Sequence, residues 1–468
     1  MTDPVALQHG CAEFRRRPTI NRRGFLKIGA LGTASLSLAS LLQHEAAAGP
    51  AAKRDRSVII LWMAGGPSHV DMWDPKPNAP VEVRGEFGTI GTSVPGIQLC
   101  ELLPMSARIM NKWSIVRSLH HRAEDGPADH GSGDQICFTG YPAAPKADVM
   151  TLEMAYPSCG VIVAEQLGSR RPELPANVVI PRMIPGTNSA YLGAACKPFE
   201  TGADPADAGP FNVRNLHATP ELTVRRLGDR KQLLGDLDSL RGRLDADGQM
   251  KAWSRFEHQA MDMLSSDAAQ RAFDLDAEPR AVRERYGFMS PFVRRPGTCC
   301  STAPAWSQRV LLARRLVEAG VRLVTVDMRS WDTHQANFDA MRRGHLPPFD
   351  KVYSALIEDL DQRGLLNSTL VIAWGEMGRS PRVNNSAGRD HWPSAFNAAL
   401  AGGRVQGGRV VGSTDSIGAR PKDMSKTPQD VLATLYNHLG IDTNKHYLDN
   451  SGRPIRVLPC GEPIRELF

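Results

Sequence analysis

The sequence predicts an α/β fold, a doubly wound, mostly parallel sheet with a helical insertion. Three observations predict it. Short continuous apolar runs recur at Ser57–Met63, Val321–Val326 and Thr369–Ala373, as buried parallel strands require. Amphipathic helical stretches alternate with them: Ser307–Gly320 feeds the second run and Pro347–Arg363 leads into the third. Each run ends in a loop rich in Asp, Glu or His, and open α/β sheets place ligands at the carboxyl ends of their strands.

The elements follow in order. Asn21-Arg22-Arg23-Gly24-Phe25-Leu26-Lys27 resembles a twin-arginine export signal. The small apolar run Ile28–Leu42 and an A-x-A cleavage site at Ala46-Ala47-Ala48 follow it. Residues 1–48 are therefore expected to be a signal peptide, with the twin-arginine export machinery as partner and the periplasm as destination. The apolar run is under the ~20 residues of a spanning helix, so no stable membrane span is expected. The chain carries a formal charge of +6, and residues 1–48 hold six Arg/Lys against three acids. About half the excess sits in that segment, too weak a bias in the remainder for a nucleic-acid partner. Of eight cysteines, Cys11 lies in the segment and the other seven show no metal-knuckle spacing. Disulfides are permitted outside the cytoplasm, and their pairing is left open.

The main domain is expected over residues 57–468. Its first strand breaks at Ala64-Gly65-Gly66-Pro67, where the backbone can pass close to another segment, and Ser68, His69, Asp71 and Asp74 follow. Glu101–Trp113 has helical spacing, and Ser114–Ser118 reads as a strand. Next, His120, His121, Asp125, Asp129 and His130 crowd a Gly-rich loop. A helix opens there at His130 or Ser132 and ends at Thr139-Gly140. Ser158–Leu167 reads as helix and Asn177–Ile180 as strand. Thr201–Gly209 reads as a surface insertion opening a mainly helical insertion over 201–300, with a leucine stripe from Leu233 to Leu244. Phe396–Leu400 is expected to be a further strand or edge hairpin closed by Gly402-Gly403. Thr427-Pro428-Gln429-Asp430 starts the last helix, and the tail after Gly440 reads as irregular.

The chemistry concentrates between Val321 and Trp392. Asp327, Asp332 and His334 follow one strand; Glu376, Asp390 and His391 follow the next. Carboxylate and imidazole together suit a divalent metal ion, Zn²⁺, Ca²⁺ or Mn²⁺ according to count and geometry. The expected ligands are Asp332, His334, Glu376 and His391, with Asp71 or His69 completing the set. Arg379 and Arg389 flank the loop and are candidates to hold an anionic substrate. His130 is a candidate ligand or general acid, and Ser132, near a helix N-terminus, a candidate nucleophile.

The runs LWMAGGPSHVDMWDPKP, WDTHQANF and WGEMGRSPRVNNSAGRDHWP resemble an uncharacterised bacterial family of twin-arginine-exported proteins, a domain of unknown function. That family is in turn similar to the alkaline phosphatase and sulfatase superfamily. The resemblance implies an alkaline-phosphatase-like α/β core with metal ligands at strand ends, and hydrolysis of phosphate or sulfate esters. Trp374–Gly378 matches the superfamily's Ser-Asp-His-Gly motif, with Glu376 in place of Asp and Met377 in place of His. His391 matches its later loop histidine, and Asp332 with His334 its Asp and His pair. Counting ten residues back from Gly140 reaches His130, and no Cys-x-Pro-x-Arg motif surrounds it. A formylglycine-type sulfatase is therefore not expected. The leading expectation is a periplasmic metal-dependent hydrolase of an anionic ester on a small molecule or a polysaccharide. The alternative is a non-catalytic exported metal-binding or envelope-associated protein on the same scaffold.

Overall fold

The computed structural model describes residues 55–143, 155–207, 209, 211–213, 216, 229, 260–288, 292–293, 302–303 and 306–468. The export signal, the Leu233–Leu244 stripe and Cys299-Cys300 lie outside them. Of the expected 201–300 insertion, the described helical segments include residues 260–265, Asp267–Phe273, the 3₁₀ turn Leu275–Ala277 and Arg280–Tyr286. At its start, Asp204 is bound to the buried Arg309 rather than standing free at the surface.

Eight strands form the central sheet. They are β1 (Ser57–Trp62), β2 (Trp113–Leu119), β3 (Asn177–Ile180), β4 (Phe199–Glu200), β5 (Leu323–Asp327), β6 (Thr369–Trp374), β7 (Phe396–Ala401) and β8 (Val410–Val411). Their spatial order is β8-β2-β7-β6-β1-β5-β3-β4. β1 pairs in parallel with both β6 and β5, and β3 continues the parallel run from β5. Only β7 is reversed, pairing antiparallel with β6 and β2. The sequence left open an edge position for β7; the structure places it inside the sheet. Its six residues FNAALA are all buried, with Ala399 and Ala401 in one core and Phe396, Ala398 and Leu400 in the other.

Strand alternation sends side chains to two separate cores. Ile59 and Leu61 of β1, with Val324 and Val326 of β5, pack against α3 (Ser307–Ala319) and α4 (Leu346–Gln362). Val58, Ile60 and Trp62 face the other way, toward α1 (His130–Thr139), α2 (Cys159–Leu167) and α5 (Pro428–Leu439). Both faces are covered, which is why the strands read as unbroken apolar runs. The helix ends follow local rules. Gly140, Gly320 and Gly440 close α1, α3 and α5 in the left-handed conformation, and Asp430 Oδ2 accepts from Thr427 N at 2.8 Å at the start of α5.

Two expectations are corrected. Glu101–Trp113 is helical only in pieces, the short helix Pro104–Arg108 and a 3₁₀ turn Met110–Lys112, before the chain turns into β2. The tail is not irregular throughout: His446–Leu448 and Pro454–Arg456 form an antiparallel hairpin. Among the described residues, no helix is long and apolar enough to cross a membrane.

Candidate metal centre

Three adjacent strand ends and the start of α1 meet at one place. β1 runs into Ala64-Gly65-Gly66, with Gly65 at φ 103° and Gly66 at φ 71°. A Cβ on Gly65 would lie 2.4 Å from Asp332 N, and one on Gly66 would lie 2.7 Å from Met377 O. Only glycine lets the first loop slide between the loops after β5 and β6. Gly65 N then donates to Glu376 Oε1 at 2.8 Å. After β6 the chain forms a small hairpin in which Arg379 pairs with His391, returning the histidine to the same end of the sheet. On α1, Gly133 lies so close to Glu376 that a Cβ would stand 2.8 Å from the glutamate Cβ.

At the centre lies Asp332. Three imidazoles turn Nε2 toward its carboxylate: His334 at 3.1 Å, His130 at 3.5 Å and His391 at 3.5 Å. Each Nδ1 is anchored on an acceptor. His130 Nδ1 lies 2.6 Å from Glu376 Oε1, His334 Nδ1 lies 3.0 Å from Asp390 Oδ1, and His391 Nδ1 lies 2.8 Å from the Ala128 carbonyl. Carboxylates and carbonyls only accept, so each Nδ1 carries a proton. The rings are mutually close, with centroids 4.3 Å apart for His130 and His391 and 4.7 Å for His334 and His391.

Donor atoms of His130, Asp332 and His391 all lie within 4.8 Å of one another. The His391 Nε2 and Glu376 Oε2 atoms are buried and make no hydrogen bond. An imidazole whose Nδ1–H is fixed by an outer acceptor and whose Nε2 is turned inward is the usual arrangement of a metal-ligating histidine. The donor set fits a divalent ion of borderline character. Arg379 contacts Asp332 Oδ1 at 2.5 Å, so that oxygen is shared with a fixed cation.

In the metal-free protein the same contacts favour a second proton on His130, which a bound ion would displace. Burial works against a charge on His130, but its hydrogen bonds to Asp332 and Glu376 prevail and raise its pKa to about 10. Burial likewise opposes the Asp332 carboxylate. The nearby His130 and His391 imidazoles and the Arg379 charge outweigh it and hold Asp332 far below the usual carboxylate range. Asp390 is lowered chiefly by its bond to His334.

Several predicted roles are revised. Glu376 stands behind His130: Oε1 receives His130 and Gly65, while Oε2 is buried and makes no hydrogen bond. Asp71 is not brought to the cluster. Its oxygens take Arg389 Nε at 2.7 Å, Arg389 Nη2 at 2.9 Å, Ser68 Oγ at 2.6 Å and Asn337 Nδ2 at 2.8 Å. Arg389 is therefore structural rather than an anion clamp, and its remaining donors go to the Val83, Ser380 and Pro381 carbonyls. His69 Nε2 lies 2.7 Å from the Gly418 carbonyl, away from the cluster. Asp327 is paired with Arg329. Arg379 binds the Gly65, Gly66 and Arg389 carbonyls besides Asp332, so its fork is closed to a substrate anion. Ser132 Oγ donates to Asp129 Oδ2 at 2.9 Å and serves the start of α1. His130 proves central.

Sequence reasoning missed Asp134, one helical turn after His130 on α1. It is buried beneath Trp62 Nε1 at 3.2 Å, and burial, then the nearby Glu376 charge, pushes its pKa well up. The i, i+4 spacing was the available signal. The Ala128 carbonyl carried none, since a backbone acceptor has no residue type to read.

The chain belongs to the family described as "Protein of unknown function (DUF1501)", which matches residues 55–468. No curated protein matches it significantly. Among solved structures it is similar to the lipoteichoic acid synthase LtaP from Listeria monocytogenes, at 8% identity and a TM-score of 0.32, covering 84% of this chain and 74% of that one. It is also similar to the PsFucS1 sulfatase from Pseudoalteromonas sp., at 9% identity and a TM-score of 0.33, covering 82% and 68%.

Proposed function

We propose that this chain is an exported, periplasmic metal-dependent hydrolase of an anionic ester, phosphate or sulfate, on a small molecule or a polysaccharide. Asp332, His130, His334 and His391 would hold the ion. The observation that supports this most is the set of three imidazoles with Nδ1 anchored outward and Nε2 aimed at one carboxylate. A divalent ion bound there supplies Lewis acidity toward a phosphoryl or sulfuryl oxygen and a water that ionises near neutral pH. The chain's own residues do the rest. Glu376, Asp390 and the Ala128 carbonyl set the tautomers, and Arg379 fixes the Asp332 carboxylate. Without the ion His130 holds a proton between the two carboxylates; as a ligand it keeps only the Nδ1 proton, on Glu376.

One observation favours a second reading, a metal-binding protein without catalysis. The arginine forks and the Ser132 hydroxyl that would serve an ester are bound to the chain itself. Elemental analysis of the purified protein, followed by Asp332→Ala and His391→Ala assayed on p-nitrophenyl phosphate and sulfate, separates the readings. Metal with turnover lost in both variants supports the hydrolase. Metal without turnover of either ester by the unaltered protein supports the second reading. Protein prepared from its exporting host without any metal sinks both.

A further inference from the structure

The loop carrying Asp332 is held from behind by a residue outside the cluster. Between the short helix Asn337–Ala340 and α4, the chain makes one π-helical turn, Met341–His345. Such turns insert a residue into a helix, re-aim the side chains around it, and recur at functional sites. Here the turn aims His345 inward, where it is completely buried. Its Nδ1 lies 2.9 Å from the Ala340 carbonyl, and its Nε2 lies 2.8 Å from the Ser330 carbonyl.

Both partners are carbonyl oxygens, which only accept. A neutral imidazole has one N–H, so two such bonds require both ring nitrogens to be protonated. Burial opposes that charge. Two carbonyl dipoles at hydrogen-bond distance offset it; the Trp331 centroid lies 5.0 Å from the ring and that of Trp306 lies 5.9 Å away. The residue held is itself unusual. Ser330 has φ 91°, a left-handed conformation that a serine keeps only when its surroundings impose it. Asp332 lies two residues further on, and Trp331 N is tied to the Ala64 carbonyl at 3.1 Å.

We propose that His345 is a positioning residue, an imidazolium that clamps the Ser330 carbonyl and so fixes the backbone from which Asp332 meets its three histidines. The proposal rests on the metal-site reading for its consequence, but not for its first test. In the nitrogen-15 NMR spectrum of the intact metal-free protein at pH 7, His345 will show two protonated ring nitrogens, identified by their loss in His345→Gln. One protonated nitrogen overturns the clamp, whatever the cluster binds.

The second test is titration with Zn²⁺ alone. His345→Phe keeps the ring volume and removes both bonds, and is expected to weaken Zn²⁺ binding about tenfold. His345→Gln restores one donor and is expected to recover part of that loss, which a merely space-filling role would not allow. Equal Zn²⁺ affinity in the unaltered protein and both variants overturns the positioning role. If His345→Phe does not fold, the His345→Gln comparison decides alone, with unchanged affinity again the refuting result. A protein that shows two protonated nitrogens yet binds no Zn²⁺ keeps the clamp and defeats the metal-site reading.

Discussion

Replacing Arg389 by Met tests whether Asp71 and Arg389 are structural or functional. Both side chains are fully buried and joined by two hydrogen bonds, at 2.7 and 2.9 Å. Without the guanidinium, Asp71 keeps only Ser68 Oγ and Asn337 Nδ2 as donors. The carbonyls of Val83, Ser380 and Pro381 also lose a donor. Removing one member of a buried pair costs about 3–5 kcal/mol. The three carbonyls place this case at the upper end, since a buried acceptor left unsatisfied costs roughly 1–3 kcal/mol. Against a typical total of about 5–15 kcal/mol, that is a large fraction. Urea unfolding followed by tryptophan fluorescence should show the midpoint falling sharply in Arg389→Met and in Asp71→Asn. The double variant Asp71→Leu with Arg389→Met should recover part of the loss, because no uncompensated charge remains. Metal content per folded molecule should stay unchanged throughout. If Asp71→Asn loses less than about 1 kcal/mol while its metal disappears, Asp71 is a ligand and the reassignment is wrong.

Three further outcomes are expected. Glu376→Gln should lower metal affinity about 10- to 100-fold without changing the number of ions bound, because Glu376 orients His130 rather than ligating; complete loss of the ion in a folded variant would restore it as a ligand. Gly388→Ala would bring a Cβ to 1.8 Å from the His334 carbonyl oxygen, a backbone atom that must shift. It should therefore reduce both the unfolding midpoint and metal affinity, and a variant equal to the parent in both refutes the packing. Acid stability should depend on His438, whose pKa burial, then Arg56, lowers to about 4, while its Nε2 lies 3.0 Å from the Ser57 carbonyl. The unfolded chain, with a histidine pKa near 6.5, takes up the proton first. This contribution is therefore intact above about pH 6.5 and falls as pH drops toward 4, by about 3 kcal/mol in all. His438→Gln should flatten the stability profile between pH 6.5 and 4.5, and an unchanged profile refutes the assignment.

Much of the sheet was legible because its strands are buried on both faces, so that apolar content survives without any partner being known. β3 was read to its exact limits, and β1, β5 and β6 to within about two residues. The reversed β7 was legible as a strand but not in its place, since FNAALA carries no mark of which neighbours it joins. The residues of the centre were also legible as types: Asp332, His334 and His391 do converge with His130. Their division into inner and outer roles was not. Asp71 and Glu376 both follow strand ends and look alike along the chain. One meets Arg389 across more than three hundred residues; the other meets His130 and Gly65.

The sequence by itself determined the buried strands β1, β3, β5 and β6, the ends of α1, α3 and α5, and the chemistry available at the carboxyl edge, because burial, capping and residue type are local properties. The tertiary structure alone decided which carboxylate faces an imidazole and which faces a guanidinium. That choice depends on strand order and on glycine contacts between loops, where a Cβ placed 2.4 Å from Asp332 N would have pushed them apart.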